Sequence, residues 1–482
     1  MDEQGKGLTV TTPAPPDTAD SAAPGRQPPL LYAVAAISAL GGLLFGYDTG
    51  IIASALVDLA RDFQLSSRAQ EIVVSAILVG AMVGAPVSGT LVARHGRKPV
   101  VTGVAVLFAV GAVAAAVAPG TGTLIAARFI LGLAVGAASN TVPVYIAETA
   151  PAAIRGRLMV LFQLMVAIGQ LISYLVGYAL AGPGGWRWMF ALAVVPAVVL
   201  AVGMLPLPES PRWLVGQGRT EEAAAVLTKL RRPGSDIGGE ITDIKAVRTK
   251  ERGAGWRALR GSWVRPALVV ALGIAAFSQL TGINAMVYYA PKLLTDAGFG
   301  DSTALLTGVG IGVMLVLAGI AGTLLVDRTG RRRLLLWLLP GSGLAMAVLA
   351  LAFLGASGSE AQKWTVILSL FAYIFLNGAS MQAVVWLIGP EVLPLAVRGP
   401  AMSLATTAVW GFDLVIAMTA LTAVDTFGRT VTFLVYALMN AACWIFVLRR
   451  VPETRGRTLE EIEQALRHPA GRKSTAKEPT NA

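Results

Sequence analysis

"ARHGRK", residues 93–98, returns as "DRTGRR" at 327–332, and that return decides the fold. Each copy follows a long apolar run. Two more pairs keep the same order at nearly one offset: "ETAPAAIRG" (148–156) with "EVLPLAVRG" (391–399), and "PESPR" (208–212) with "PETRG" (452–456). One such match could be chance, whereas three in register mark two copies of one unit.

The composition says what the unit is made for. Of 482 residues, 55% are apolar and only 14% charged, with a mean hydropathy of +0.66, well outside soluble-domain averages. Apolar windows of about 20 residues, the length that crosses a bilayer, lie near 33–56, 71–92, 99–118, 122–147, 157–181, 188–206, 266–290, 303–326, 333–355, 364–390, 400–422 and 429–449. The expectation is an all-α membrane protein of twelve transmembrane helices in two pseudo-symmetric six-helix halves. The division is a disordered leader (1–30), an N-terminal half (31–206), a polar linker with short helices (207–265), a C-terminal half (266–449) and a polar tail (450–482). The leader lacks the order of a signal peptide, so no processing is expected.

"RHGRK" (94–98), "RGR" (155–157), the linker, "RTGRRR" (328–333), Arg398 and the tail from Arg449 fall on one side; the other holds scattered residues such as Arg61, Arg187 and Lys292. By the positive-inside rule both termini and the linker face the cytoplasm, from an inner or plasma membrane. The same scatter accounts for the net charge of +11 without a nucleic-acid partner. A single cysteine, Cys443, forms no internal disulfide, and two distant histidines, His95 and His468, make no metal cluster. No nucleophile–base set or cofactor motif is visible, so neither an enzyme nor a cofactor is expected.

Several polar residues lie inside the apolar runs. Asp48, in "LLFGYDTGII" (43–52), would be a carboxylate in hydrocarbon, and Arg128, in "RFILGLAVG" (128–136), a cation at membrane depth; such groups normally face the bundle interior and pair. An aspartate balanced between desolvation and a cation can take up and release a proton. Gln163 and Gln170, seven residues apart, share a helical face and offer amides suited to adjacent hydroxyls. In "SQLTGINAMVYYAP" (278–291), Gly282 can loosen the helix so that Gln279, Asn284, Tyr288 and Tyr289 present at different angles.

With "FGYDTG", "VPVYIAETAPAAIRGR" (142–157), "PESPRWL" (208–214), "PEVLPLAVRG" (390–399) and "VPETRGRTLEEIE" (451–463) added, the chain resembles the sugar porter family of the major facilitator superfamily from Leu31 to about Glu463. It most resembles the bacterial proton-coupled members such as the xylose-proton symporter, which carry an aspartate where facilitative glucose transporters have a neutral residue. The resemblance sets Asp48 opposite Arg128; the expectation is that protonation of Asp48 releases Arg128, the alternative being a permanent structural ion pair. It implies substrate contacts from Gln163, Gln170, Gln279 and Asn284, an aromatic wall at Phe45, two stacking tryptophans at Trp386 and Trp410, and an outer gate at Tyr288 and Tyr289.

Departures from the pattern fall in the second half. Ser278 replaces one of two successive glutamines, Leu315 an asparagine, and Val409 a polar position. Asn377 and Gln382 add polarity to the tenth span. Asp413, three residues after Trp410, is open to three roles: accepting from substrate hydroxyls, titrating as a second proton site, or pairing locally.

The paired motifs imply a cytoplasmic gate. Glu148 with Arg155 and Glu391 with Arg398 stand at the ends of spans four and ten, with Arg94, Arg97, Asp327, Arg328, Arg331, Arg332, Glu209 and Glu453 able to complete a network that reaches across the halves and breaks as the carrier turns inward. Ala93 stands where the motif has an acid, so a looser first copy is expected. The function implied is proton-coupled import of a monosaccharide or related polyol by alternating access, by a monomer in the lipid bilayer. The alternatives are a facilitative sugar uniporter, a proton-coupled inositol or polyol carrier, a drug–proton antiporter, and a membrane sugar sensor.

Overall fold

The computed structural model describes residues 27–251, 259–354, 359–394, 397–456 and 461. Most of the leader and of the tail lies outside them. The first half runs through α1 (Pro29–Asp62), α2 (Ser67–His95), α3 (Arg97–Ala116), α4 (Thr121–Thr149) and α5 (Ala152–Ala179), then a sixth span made of α6 (Gly185–Ala191) and α7 (Val194–Met204). In the linker, α8 (Pro211–Gly216), α9 (Thr220–Leu230) and α10 (Ile237–Glu251) are short, as its mixed charges predict.

The second half repeats the plan with more breaks. Its first span is α11 (Arg265–Leu280) and α12 (Ile283–Asp296), followed by α13 (Asp301–Thr329) and α14 (Arg331–Ala352). The tenth span is α15 (Glu360–Asn377), a π-helical turn at Gly378–Gln382, and α16 (Ala383–Val392). The last helix, α17 (Arg398–Arg450), has 53 residues, about 80 Å at 1.5 Å per residue, more than twice a hydrocarbon core. Gly428, with φ 81° and ψ 161°, folds it into two spans. Eleven described helical segments are long and apolar enough to cross a membrane, and this fold makes them twelve spans.

Lipid tails are as apolar as leucine, so helices here associate by close packing. A Cβ on Gly46 of α1 would lie 1.8 Å from the Val166 carbonyl oxygen of α5, and one on Gly132 of α4 would lie 2.1 Å from that of Ile77 on α2. Only glycine lets those backbones meet. Trp186, Tyr145, Tyr174, Tyr289 and Tyr373 are fully buried within the bundle.

The two ends are held differently. Arg61, Arg68, Glu71 and Tyr174 each bond across to the other half, and all four do so at the end away from the basic loops: Arg61 to Asp301 at 2.8 Å, Arg68 to the Met418 carbonyl at 2.8 Å, Glu71 to Thr422, and the Tyr174 hydroxyl to the Val287 carbonyl at 2.7 Å.

Candidate functional site

Asp48 and Arg128 meet as expected. Arg128 Nη1 donates to Asp48 Oδ2 at 2.8 Å, with the side chains 0% and 2% exposed. Arg128 Nε reaches the Val73 carbonyl of α2 at 3.4 Å, while Nη2 is buried without a hydrogen-bond partner. The pair joins α1, α2 and α4 inside one half. An unmet charged donor in a buried site is costly, so the pair is held short of full satisfaction.

Phe45, one turn before Asp48, reaches the other half. Its ring lies 5.6 Å from that of Trp410, at 47°. Trp410 is buried and its indole Nε1 has no partner. One turn on, Asp413 Oδ2 accepts from the Tyr288 hydroxyl at 3.0 Å, and Oδ1 is buried without a partner. A further turn on, the Ala417 carbonyl accepts from the Tyr289 hydroxyl at 2.6 Å. Both tyrosines therefore tie α12 to α17 at the closed end of the molecule. Trp386 stands apart on α16, 37% exposed.

The face of α5 that carries Gln163 and Gln170 is fixed by Tyr174, four residues past Gln170, which bonds into the second half. Both amides thus point toward the junction of the halves, and among the described residues neither is hydrogen-bonded. In the second half the amides are wired together: Asn284 Nδ2 donates to Gln279 Oε1 at 2.8 Å, and Gln279 Nε2 to the Ser278 hydroxyl at 3.1 Å.

The break between α11 and α12 comes from Gly282, at φ 90°. A broken helix in a membrane frees carbonyls that must find other donors. Ser278 O takes Gln382 Nε2 at 3.2 Å, and Thr281 O takes the Tyr373 hydroxyl at 2.7 Å and Asn440 Nδ2 at 3.2 Å. Asn377, counted from sequence as added polarity in the tenth span, belongs to this knot, 3.4 Å from Asn440 Oδ1. Gln382, at the end of the π-helical turn, also braces the break.

At the basic end the three repeated motifs form one ring per half. Arg97 Nη2 bonds Glu148 at 2.8 Å, and Arg331 Nη2 bonds Glu391 at 2.8 Å. Ser210 and Thr454 hydroxyls bond the same two glutamates at 2.5 and 2.6 Å. Glu209 accepts from the backbone N–H groups of Arg97 and Lys98, and Glu453 from those of Arg331 and Arg333, so each carboxylate sits at a helix N-terminus. A Cβ on Gly96 would lie 2.2 Å from Glu209, and one on Gly330 would lie 2.7 Å from Glu453, which is why the motifs need glycine there.

Both rings close within their own halves. The partners of Glu148 and Glu391 are Arg97 and Arg331, not Arg155 and Arg398. Arg155 Nε is unpartnered, and Arg398 bonds the Leu393 carbonyl at 3.2 Å. Asp327, 77% exposed, reaches Arg331 only at 3.7 Å. Arg332 bonds the Leu448 carbonyl at 2.9 Å, the Arg328 carbonyl takes Arg455, and Arg94 is exposed. Sequence reasoning missed Ser210 and Thr454, though they directly follow Glu209 and Glu453 in the repeated motif. It also missed Glu71, a carboxylate at the start of an apolar run, which the argument used for Asp48 would have found.

Two like six-span halves meeting around buried, partly unsatisfied polar groups define a membrane carrier rather than an enzyme. The chain belongs to the sugar (and other) transporter family, whose model matches residues 34–466. It is 40% identical over 435 residues to a D-xylose transporter of Levilactobacillus brevis, across 90% of this chain and 95% of that protein. Its fold is similar to that of the proton:xylose symporter of the major facilitator superfamily bound to 6-bromo-6-deoxy-D-glucose, with a TM-score of 0.76 and 30% identity over 91% of this chain and 99% of that one. It is also similar to the partially occluded inward-open conformation of the xylose transporter from E. coli, with a TM-score of 0.77 and 28% identity over 89% of this chain and 99% of that one.

Proposed function

We propose that this carrier is a proton-coupled symporter that imports a monosaccharide or related polyol by alternating access. The observation that carries the reading is the Asp48–Arg128 pair, buried one turn from Phe45, whose ring lies against Trp410 of the opposite half. A proton on Asp48 removes the charge that holds Arg128, and the freed guanidinium then draws on other acceptors between α1, α2 and α4. That change reaches the junction of the halves through Phe45. The unbonded amides of Gln163 and Gln170, the Ser278–Gln279–Asn284 chain, Trp386, Trp410 and Asp413 supply donors and acceptors for a polyhydroxylated substrate. The relatives named for xylose support a sugar of pentose or hexose size.

The basic loops, the linker and both termini face the cytoplasm in this reading, with the carrier a monomer in the cell membrane and residues 31–206 and 266–449 moving as its two halves. The conformation is then inward-facing, with Tyr288 and Tyr289 closing the outer side. Arg97, Glu148, Arg331 and Glu391 rings that close within each half are what remains of a cytoplasmic gate after the halves part; in the outward-facing state their spare valences meet across the gap.

The test is uptake into proteoliposomes under an imposed pH gradient, screened over pentoses, hexoses and inositols. Accumulation of at least one of them, abolished by collapsing the gradient, is expected. Equilibration without accumulation identifies a uniporter, and no uptake of any of them removes the sugar assignment.

A further inference from the structure

A second buried carboxylate works far from the central pair. Glu71 lies one turn inside α2, and Ser66, whose hydroxyl accepts from Ala69 N–H, caps the helix there. Glu71 is 0% exposed. Its Oε1 accepts the Thr422 N–H at 2.8 Å and its Oε2 the Thr422 hydroxyl at 2.6 Å, with Arg68 Nη1 beside it at 3.3 Å. Arg68 also donates to the Met418 carbonyl at 2.8 Å.

Met418 and Thr422 are four residues apart, so in a regular turn the Thr422 N–H would bond the Met418 carbonyl. Glu71 accepts from that donor and Arg68 donates to that acceptor, on a turn of α17 that stays helical. Two charged side chains on one half thus grip both members of a single backbone hydrogen bond on the other. If α2 and α17 part, the helical backbone of α17 can satisfy that donor and acceptor by itself, so α17 leaves no orphaned backbone group in either state. Glu71 and Arg68, at the outer end of α2, are then hydrated. Two other cross-half bonds at this end are weaker in kind: Arg61–Asp301 is exposed on both sides, at 57% and 42%, and Tyr174–Val287 is a neutral hydrogen bond.

We propose that Arg68 and Glu71 form a latch that holds the outer end shut by clasping one turn of α17, and that its strength sets the balance between inward-facing and outward-facing carrier. The latch deepens the alternating-access reading and rests on it, but it does not depend on which substrate is carried.

Distances between spin labels in the full-length protein, reconstituted in lipid nanodiscs without substrate, test it. One label pair is placed at exposed Gln64 and Asp425 of the outer end, a second at exposed His95 and Arg333 of the basic end; Cys443 is buried and stays in place. In the parent the outer pair is expected to be short and the basic pair long. Glu71→Ala should raise the population with a long outer and short basic distance at least several-fold. Arg68→Ala, at a side chain that is 58% exposed, should shift it the same way by less. Unchanged distributions in Arg68→Ala and in folded Glu71→Ala overturn the latch. So does a longer outer distance without a matching shorter basic one, since that is local loosening. Because the distances are read without sugar, failure of the uptake screen leaves this result intact.

Discussion

Each half of the bundle buries one aspartate near the junction, and the two are kept differently. Asp48 meets a guanidinium that is itself fully enclosed. Asp413 meets a tyrosine hydroxyl on one oxygen, has the Asn284 amide beside it, and keeps the other oxygen without a hydrogen-bond partner. A buried carboxylate beside a fixed cation is stabilised as an anion and is disturbed when a proton arrives. One beside a neutral donor, with an acceptor to spare, is suited to receiving a hydrogen bond from outside the protein. In the mechanism proposed above, the difference places ion coupling in the first half and substrate contact in the second.

The largest test of that division is Asp48→Asn. The amide keeps the shape and loses the titrating group, so accumulation against a gradient should fall to a ratio of one. Exchange of labelled for unlabelled substrate should persist. One pH unit drives about 1.4 kcal/mol of uphill transport per proton, or roughly tenfold accumulation in a one-proton symporter, so proteoliposomes at a one-unit gradient resolve the loss. An Asp48→Asn protein that still concentrates substrate moves the coupling elsewhere, with Asp413 the first place to look.

Asp413→Asn comes next. Its amide oxygen can still accept from Tyr288, while the free acceptor becomes a donor. A hydrogen bond to a charged group contributes about 1.5–3 kcal/mol, so substrate affinity should fall by roughly ten- to a hundredfold, with the ranking among sugar epimers altered. Binding calorimetry checks it. Unchanged affinity would mean that Asp413 pairs only locally, and the contrast between the two aspartates would then reduce to one functional residue.

How much of this was legible beforehand depended on distance along the chain. The twelve spans, the duplication and the two buried charges could be read because apolar length, repeated motifs and a charge in hydrocarbon are properties of short segments, while the pairing of Asp48 with Arg128 came from the resemblance to the sugar porters. Gly282 announced the break between α11 and α12 for the same reason. What stayed hidden were choices among partners. Glu148 had two candidate arginines, and only the fold shows that Arg97, at a helix start beside it, is nearer than Arg155. Asn377 looked like cavity polarity because nothing in its own segment says that Thr281, from a different helix, needs donors. The clasp of Glu71 on Thr422 joins residues 351 positions apart.

Gln170→Ala is expected to have a smaller effect than either aspartate change. A neutral hydrogen bond contributes about 0.5–1.5 kcal/mol net, so one lost amide bond should weaken binding by roughly two- to tenfold. The pH dependence of accumulation should stay as it is. Uptake kinetics at several external pH values separate the two effects: a raised KM with coupling retained keeps Gln170 on the substrate side of the division, whereas lost coupling would place it with Asp48.

The smallest effect bears on the rings at the basic end. The first copy lacks an acid at Ala93, whereas the second has Asp327, and the motif alone suggests a looser first ring. The geometry argues for equality. Both arginine–glutamate pairs span 2.8 Å. Asp327 is 77% exposed and 3.7 Å from Arg331, the kind of ion pair that contributes about 0–1 kcal/mol. The first copy also uses position 93 in another way, since the Ala93 carbonyl accepts from Trp213 Nε1 at 3.2 Å and Gln217 Nε2 at 3.3 Å, tying α8 and its exit to the end of α2. Asp327→Ala should therefore leave thermal stability and transport rate unchanged within error, while Arg97→Gln and Arg331→Gln should each alter the rate, and by similar factors. A marked change in Asp327→Ala alone would show that the exposed acid matters to the ring, and that the two copies of the motif have diverged in strength as well as in sequence.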